Sequence, residues 1–301
     1  METAAGATQR KIHYTLSGTG GLVTSASGGS GTQAGTYYVD TFKDLSLVNH
    51  RLYRQGRVPM ARIGFAGPLS PDVTFCAVAA FTLPNTWQVR KAHQLALKEY
   101  LRATKEERRR TGQARWHDFK VWYEDGMRTG TTLSPVGITT GSSEWPYSQI
   151  TEDDGTTERR YKFIGSTDSA AFGMIAEYDS MADTDQDQPN NPASGGSGPY
   201  SDLHPDVSDK NKDNLLDEGD NPPYNPDNLQ VQEQITTIAV GSGKSDKMVS
   251  EWFPVPCGLI RLQAQLIHSA GIADDTAGVF FVEVMGGDYK GIHATTMGLK
   301  L

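Results

Sequence analysis

The sequence predicts an all-β protein, a single β-sandwich domain with one long helix and large inserted loops. Three observations point there. Short apolar runs such as "DVTFCAVAAFTL" and "GVFFVEVMGG" recur along the chain, separated by turn residues. Gly (32) and Pro (15) are abundant in 301 residues, which calls for many turns and long connections. One stretch, residues 85–111, is free of both and carries helical spacing.

Taken in order, residues 1–36 end in "SGTGGLVTSASGGSGTQAGT", read as a flexible Gly/Ser-rich N-terminal arm. The domain proper is expected over residues 37–301. "TYYVDTF" is β-rich. Leu45, Val48 and Leu52 then have helical spacing, which predicts a short helix capped near Asp44. "PMARIGFAG" and "DVTFCAVAAFTL" read as strands, the second apolar enough to be central. The long helix starts at an Asn85 or Thr86 cap and shows one face through Trp87, Ala92, Leu95, Ala96, Tyr100 and Ala103. Its last turns gather Lys and Arg, and Gly112 ends it. "WHDFKVWYEDGM" is expected to be a strand. "AAFGMIAEYDS" reads as a short strand or helix. "LQVQEQITTIAV" and "KMVSEWFPVPCGLIRLQAQLI" return to β texture. Because strands flank it on both sides, the acidic stretch 129–233 reads as surface-loop insertions in one domain.

Charge is unevenly divided. The first 128 residues hold 18 Lys and Arg against 10 Asp and Glu; the remainder holds 10 against 26. A chain that offers one face to a polyanion and another to solvent has this asymmetry. Arg51, Arg54 and Arg57 fall three apart, and Arg62 and the run Arg108, Arg109, Arg110 follow. With Tyr53 and Trp116 nearby, these seven arginines are the candidate nucleic-acid contacts: guanidinium forks suit phosphate, and rings suit stacked bases.

The stretch "DKNKDNLLDEGD" carries a second signal. With Asp209 at position 1 of a twelve-residue calcium loop, Asn211, Asp213, Leu215 (through its carbonyl), Asp217 and Asp220 fall at positions 3, 5, 7, 9 and 12. Leu216 stands where such loops pack an aliphatic residue. Asn214 replaces the usual Gly at position 6 and tolerates the left-handed conformation. Clustered carboxylates repel unless a divalent cation neutralises them, so structural Ca²⁺ is the expected cofactor. The flanks "HPDVS" and "NPPYNPD" are not helical, which predicts a single loop and not an EF-hand pair.

Other chemistry is not expected. "VGSGKSDK" lacks the first Gly of a phosphate-binding P-loop, since Ile238 stands there. The seven histidines show no metal-protease spacing, and no Ser-centred nucleophile motif occurs. The chain is therefore expected not to be an enzyme. No apolar run reaches membrane-spanning length, and the N-terminus has no apolar stretch of the signal-peptide kind. Cys76 and Cys257 sit in apolar contexts and are expected as buried free thiols.

The segments "DLSLVNHRLYRQGRVPMARI", "NTWQVRKAHQLALKEYLRA" and "WHDFKVWYED" resemble capsid proteins of small circular Rep-encoding single-stranded DNA viruses of the environmental and marine type, over about residues 37–125. The resemblance implies a single jelly-roll domain, self-assembly into an icosahedral shell, a single-stranded DNA genome as partner, no membrane, and location in the virion. Two features depart from the pattern: the arm is neutral where such capsids often carry Arg and Lys, and the pI of about 5.4 is low for a genome-binding coat. From the residues alone, a calcium-dependent β-sandwich surface or carbohydrate-binding protein is the alternative.

Overall fold

The computed structural model describes residues 8–17, 23–24, 32–66, 73–111, 115–129, 132–138, 145–151, 156, 158–182, 233–241, 249–268 and 276–298. Within them the chain is mostly β-sheet with few helices. One five-stranded sheet runs β1 (Lys11–Ser17), β12 (Thr276–Val284), β4 (Arg57–Phe65), β10 (Phe253–Pro254), with β13 (Ala294–Thr296) also paired to β4. A second runs β2 (Val23–Thr24), β3 (Thr32–Asp40), β11 (Leu259–His268), β5 (Val73–Thr82), β9 (Glu233–Gly241). All pairings in both sheets are antiparallel.

Period-2 patterning explains why these sheets face each other. On β11, Ile260, Leu262 and Ala264 point inward while Gln263 and Gln265 are exposed. On β12, Phe280, Val282 and Val284 do the same, and Ala61, Ile63 and Phe65 follow suit on β4. With Tyr37 and Val39 of β3 and Cys76, Val78 and Ala80 of β5 they form one buried cluster fed by both sheets, as in a β-sandwich. Tyr14 stacks on Phe280 inside it at 5.2 Å. The expected strand at 72–83 is indeed central, between β11 and β9, and the cysteines are free and buried.

A second cluster lies outside the sandwich. There α2 (Trp87–Ala103), α5 (Met174–Ala182), the extended segment 117–123 and a small sheet of β6 (Gln149–Thr151), β7 (Glu158–Lys162) and β8 (Ala171–Gly173) share an aromatic core. Phe119 meets Tyr161 edge-on at 5.0 Å and Tyr100 at 5.1 Å. Lys162, 2% exposed, is neutralised by Asp125 at 2.7 Å and Asp168 at 2.6 Å, which ties β7 to the short helix α4 (Asp125–Arg128).

Several expectations need correction. Residues 1–36 are not all arm: Lys11–Ser17 pairs along β12 and buries Ile12 and Tyr14, and β3 begins at Thr32. Residues 129–233 are not all surface loop, since β6–β8 and α5 bury Tyr161, Phe163, Met174 and Ile175. The first helix, α1 (Thr41–Asn49), is capped by Asp40, whose carboxylate accepts the Lys43 N–H, and Asp44 lies buried in its first turn. The long helix breaks at Thr104, whose hydroxyl donates to the Tyr100 carbonyl, and resumes as α3 (Lys105–Thr111). Its buried face is Gln88, Val89, Ala92, His93 and Tyr100; Trp87 is 67% exposed. The face is turned because His93 fits between Phe119 and Phe163. "WHDFKVWYEDGM" has a single bridge and no strand. Its backbone N–H groups go instead to Ser148 Oγ, Gln55 Oε1 and the Tyr161 carbonyl. "AAFGMIAEYDS" is both things read for it, β8 followed by α5.

Candidate functional site

The site grows from how the chain leaves α1. His50 adopts the left-handed conformation (φ 52°) and closes the helix. The Arg51 N–H then bonds back to the Ser46 carbonyl, and the Tyr53 N–H to Ser46 Oγ at 2.8 Å. This winding buries Leu52 and Tyr53 and turns Arg54 outward, with Arg51 and Arg57 half-buried beside it. Gln55, fully buried, locks the loop: its N–H donates to Asp118 Oδ2 at 2.9 Å, its amide donates to Asp40 Oδ2 at 2.7 Å and accepts the Val121 N–H at 2.7 Å.

A second segment brings a fourth cation. Between β12 and β13 the chain makes a tight turn in which Tyr289 and Ile292 exchange two backbone hydrogen bonds of 3.0 Å. Its central residues, Lys290 (φ 52°) and Gly291 (φ 88°), are both left-handed, the type I′ requirement. The turn docks on the arginine loop. Tyr53 Oη donates to the Lys290 carbonyl at 3.0 Å, Lys290 Nζ donates to the Leu52 carbonyl, and the Arg54 N–H donates to Tyr289 Oη at 3.2 Å. Two rings stand among the charges. Arg57 lies 3.7 Å from the Tyr289 centroid, Arg51 lies 6.0 Å from that of Tyr53, and the rings meet edge-on at 6.2 Å.

Partial burial and the nearby Arg54, Arg51 and Arg57 pull the Lys290 ammonium below the usual lysine range, with Asp118 opposing. Among the described residues, none of these four cations has a carboxylate within ion-pair distance. Uncompensated positive charge gathered beside aromatic rings suits a phosphate backbone carrying stackable bases.

The sequence-predicted arginines divide. Arg51, Arg54 and Arg57 converge. Arg108, on α3, donates to the Leu101 carbonyl; the His117 imidazole is pushed down by burial and then by Arg108, with Lys120 and Arg54 adding to it against Asp118. Arg109 sits on the exposed α3, paired with Glu106 at 3.4 Å, and Arg110 is exposed on the same helix. Arg62 is apart from the cluster: it is ion-paired to Glu283 at 2.7 Å and lies over Trp252 at 4.6 Å. Lys290, Tyr289 and His117 are the members that sequence reasoning missed. Asp209, Asn211, Asp213, Leu215, Asp217 and Asp220 lie outside the described residues. Among the described ones, no group of three His, Cys, Asp or Glu is arranged to hold a metal ion, and no helix is long and apolar enough to cross a membrane.

No protein-family model matches the chain, and no curated protein or solved structure does either.

Proposed function

We propose that this chain is a viral coat protein that folds as a jelly roll and assembles with copies of itself into an icosahedral shell around a single-stranded DNA genome. Strand order supports the fold part of the reading, and the cationic rim carries the choice of a coat protein. Leaving out β2 and β13 and keeping β10, itself only two residues long, eight strands build the two large sheets. Numbered along the chain, they run 1-8-3-6 in one sheet and 2-7-4-5 in the other. Every one of the seven connections but the 4–5 link passes from one sheet to the other, which supports a double Greek-key, jelly-roll reading.

That wiring serves coat proteins and sugar-binding domains alike, so the fold alone does not choose between them. The cationic rim of Arg51, Arg54, Arg57 and Lys290 favours the coat reading, because a neutral glycan gains nothing from four cations and a genome does. Arg108 extends the rim; Arg62, Arg109 and Arg110 contribute at most to the wider positive field. The acidic residues 209–220 hold a structural Ca²⁺ in this reading, through the six ligands their spacing provides.

The test is assembly. Purified full-length protein, run on size exclusion and imaged by negative stain across salt and calcium concentrations with and without single-stranded DNA, forms closed shells. A 33 kDa species that stays monomeric in every condition overturns the reading in favour of the calcium-dependent carbohydrate-binding alternative.

A further inference from the structure

Beside the α1 end of the rim, where His50 and Leu52 flank Arg51, residues of the sandwich, of α1, of 135–138 and Trp116, Lys120 and Trp145 line a cleft of about 990 Å³, at the upper end of the roughly 300–1,000 Å³ typical of small-molecule sites. Its walls are apolar for the larger part, with Gln9, His13, Ser46 and His50 as polar lining. Leu47, Val136 and Ile138 supply aliphatic surface, and Trp116 and Trp145 supply rings. Besides the imidazoles of His13 and His50, one ammonium lines it, and that charge is built in. Lys120 is 5% exposed, and its ammonium lies 4.1 Å from the centroid of the Trp145 ring. Among the described residues it has neither a hydrogen-bond acceptor nor an ion-pair partner; Asp118 and Asp40 act on it only from farther off. The frame around it is rigid. The Lys120 N–H donates to Ser148 Oγ and the Ser148 N–H to the Lys120 carbonyl, both at 2.9 Å, and Trp145 Nε1 donates to the buried Asp40 at 3.1 Å.

A cation enclosed in apolar surface without its own counter-ion is a costly arrangement unless something anionic arrives. We infer that the cleft binds an amphipathic monoanion, a small molecule whose carboxylate caps Lys120 while its aliphatic or aryl body lies along Val136, Ile138 and the two tryptophans. Nucleic acid is the poorer fit here. A phosphate chain wants several cations along an open path, which the rim provides, whereas this cleft has one ammonium at the end of an oily trough. The inference does not depend on the coat-protein reading, and its test is independent of assembly.

Full-length protein is titrated with decanoate, decanol and decyltrimethylammonium, followed by tryptophan fluorescence and calorimetry. Decanoate binds saturably and about tenfold tighter than decanol, as one charge-assisted hydrogen bond in a dry site provides; decyltrimethylammonium binds worst. Lys120→Met keeps decanol binding and loses the preference for decanoate. Val136→Glu, at a position 54% exposed and therefore tolerant in the fold, sets a second anion in the trough and weakens decanoate about tenfold or more. Equal affinity of wild type for decanoate and decanol, or decanoate binding indifferent to Val136→Glu, overturns the inference.

Discussion

The guanidinium of Arg57 lies 3.7 Å from the centroid of the Tyr289 ring, while the hydroxyl of the same tyrosine accepts the backbone N–H of Arg54 at 3.2 Å. One tyrosine thus organises two of the four rim cations, and charge and stacking can be separated by mutation. Removing charge changes the salt dependence of binding; removing a ring changes affinity without it. Arg54→Ala/Arg57→Ala is expected to flatten the slope of log affinity against log salt for a single-stranded oligonucleotide by about 1.4, at roughly 0.7 per phosphate contact. Tyr289→Ala leaves that slope in place and costs about 1–3 kcal/mol of affinity. Fluorescence anisotropy over a salt series measures both. Identical slopes for wild type and the double variant would mean that these arginines do not contact the oligonucleotide.

The turn that delivers Lys290 gives a second prediction, in which stability and binding move apart. Gly291 has φ 88°, and a Cβ there would run into the Thr8 side chain. Gly291→Ala should therefore destabilise the fold by about 1–3 kcal/mol, read as a lower thermal midpoint. Lys290 also sits in left-handed space, at φ 52°, so Lys290→Gly relieves backbone strain while deleting the cation. Its stability is expected within about 1 kcal/mol of wild type, with oligonucleotide affinity reduced. A Lys290→Gly protein that binds DNA as wild type does would remove Lys290 from the rim.

Much of this arrangement is written locally in the sequence, and the part that is not has a clear cause. Strands β4, β5, β11 and β12 are legible because their inward residues alternate or run apolar over nine or ten positions. β1 is missed because His13 and Thr15 dilute a short pattern lying beside a Gly/Ser-rich stretch. The broken helix at Thr104 has no Gly or Pro to announce it. At the rim, the three-residue spacing of Arg51, Arg54 and Arg57 is visible, but it does not act as a helical face: α1 ends at Asn49, and the loop's own hydrogen bonds to Ser46 aim the side chains. Lys290 and Tyr53 are 237 residues apart. The pairing of β12 and β13 with β4 brings them together, and nothing in either local sequence encodes it.

The acidic loop yields a prediction that depends on ligand position more than on charge. In the proposed loop Asp213, at position 5, would supply a ligand oxygen, and Asp185, in the separate acidic stretch 183–187, would not. Asp213→Ala is expected to weaken Ca²⁺ or Tb³⁺ binding about tenfold or more, whereas Asp185→Ala leaves it unchanged. Calorimetry and terbium luminescence report each. Equal losses from the two substitutions would reduce the loop to a diffuse acidic surface.

Two buried carboxyls at the start of α1 set the pH response of the fold. Burial pushes Asp40 up to about 6 and Asp44 up to about 8; Asp40 is eased back by the Lys43 N–H and by Tyr147 and Gln55. Asp44 accepts the Tyr14 hydroxyl at 2.6 Å through one oxygen, and its other oxygen has no partner, an environment that favours the neutral acid. The neighbouring charges are Asp40, which raises the Asp44 value, and Lys43, which lowers it. Both acids ionise near pH 4 in the unfolded chain, so between pH 4 and 8 unfolding releases protons that the native state holds. Stability contributed at pH 4 is therefore lost as pH rises, through about 6 for Asp40 and about 8 for Asp44, on the order of a few kcal/mol in all. Asp44→Asn keeps the shape and an acceptor for Tyr14 but has no proton to lose. It should match wild type within about 1 kcal/mol at pH 5, exceed it at pH 8, and show a shallower fall of thermal midpoint between them. Parallel midpoint profiles for the two proteins would mean that Asp44 is not the group whose ionisation the fold resists.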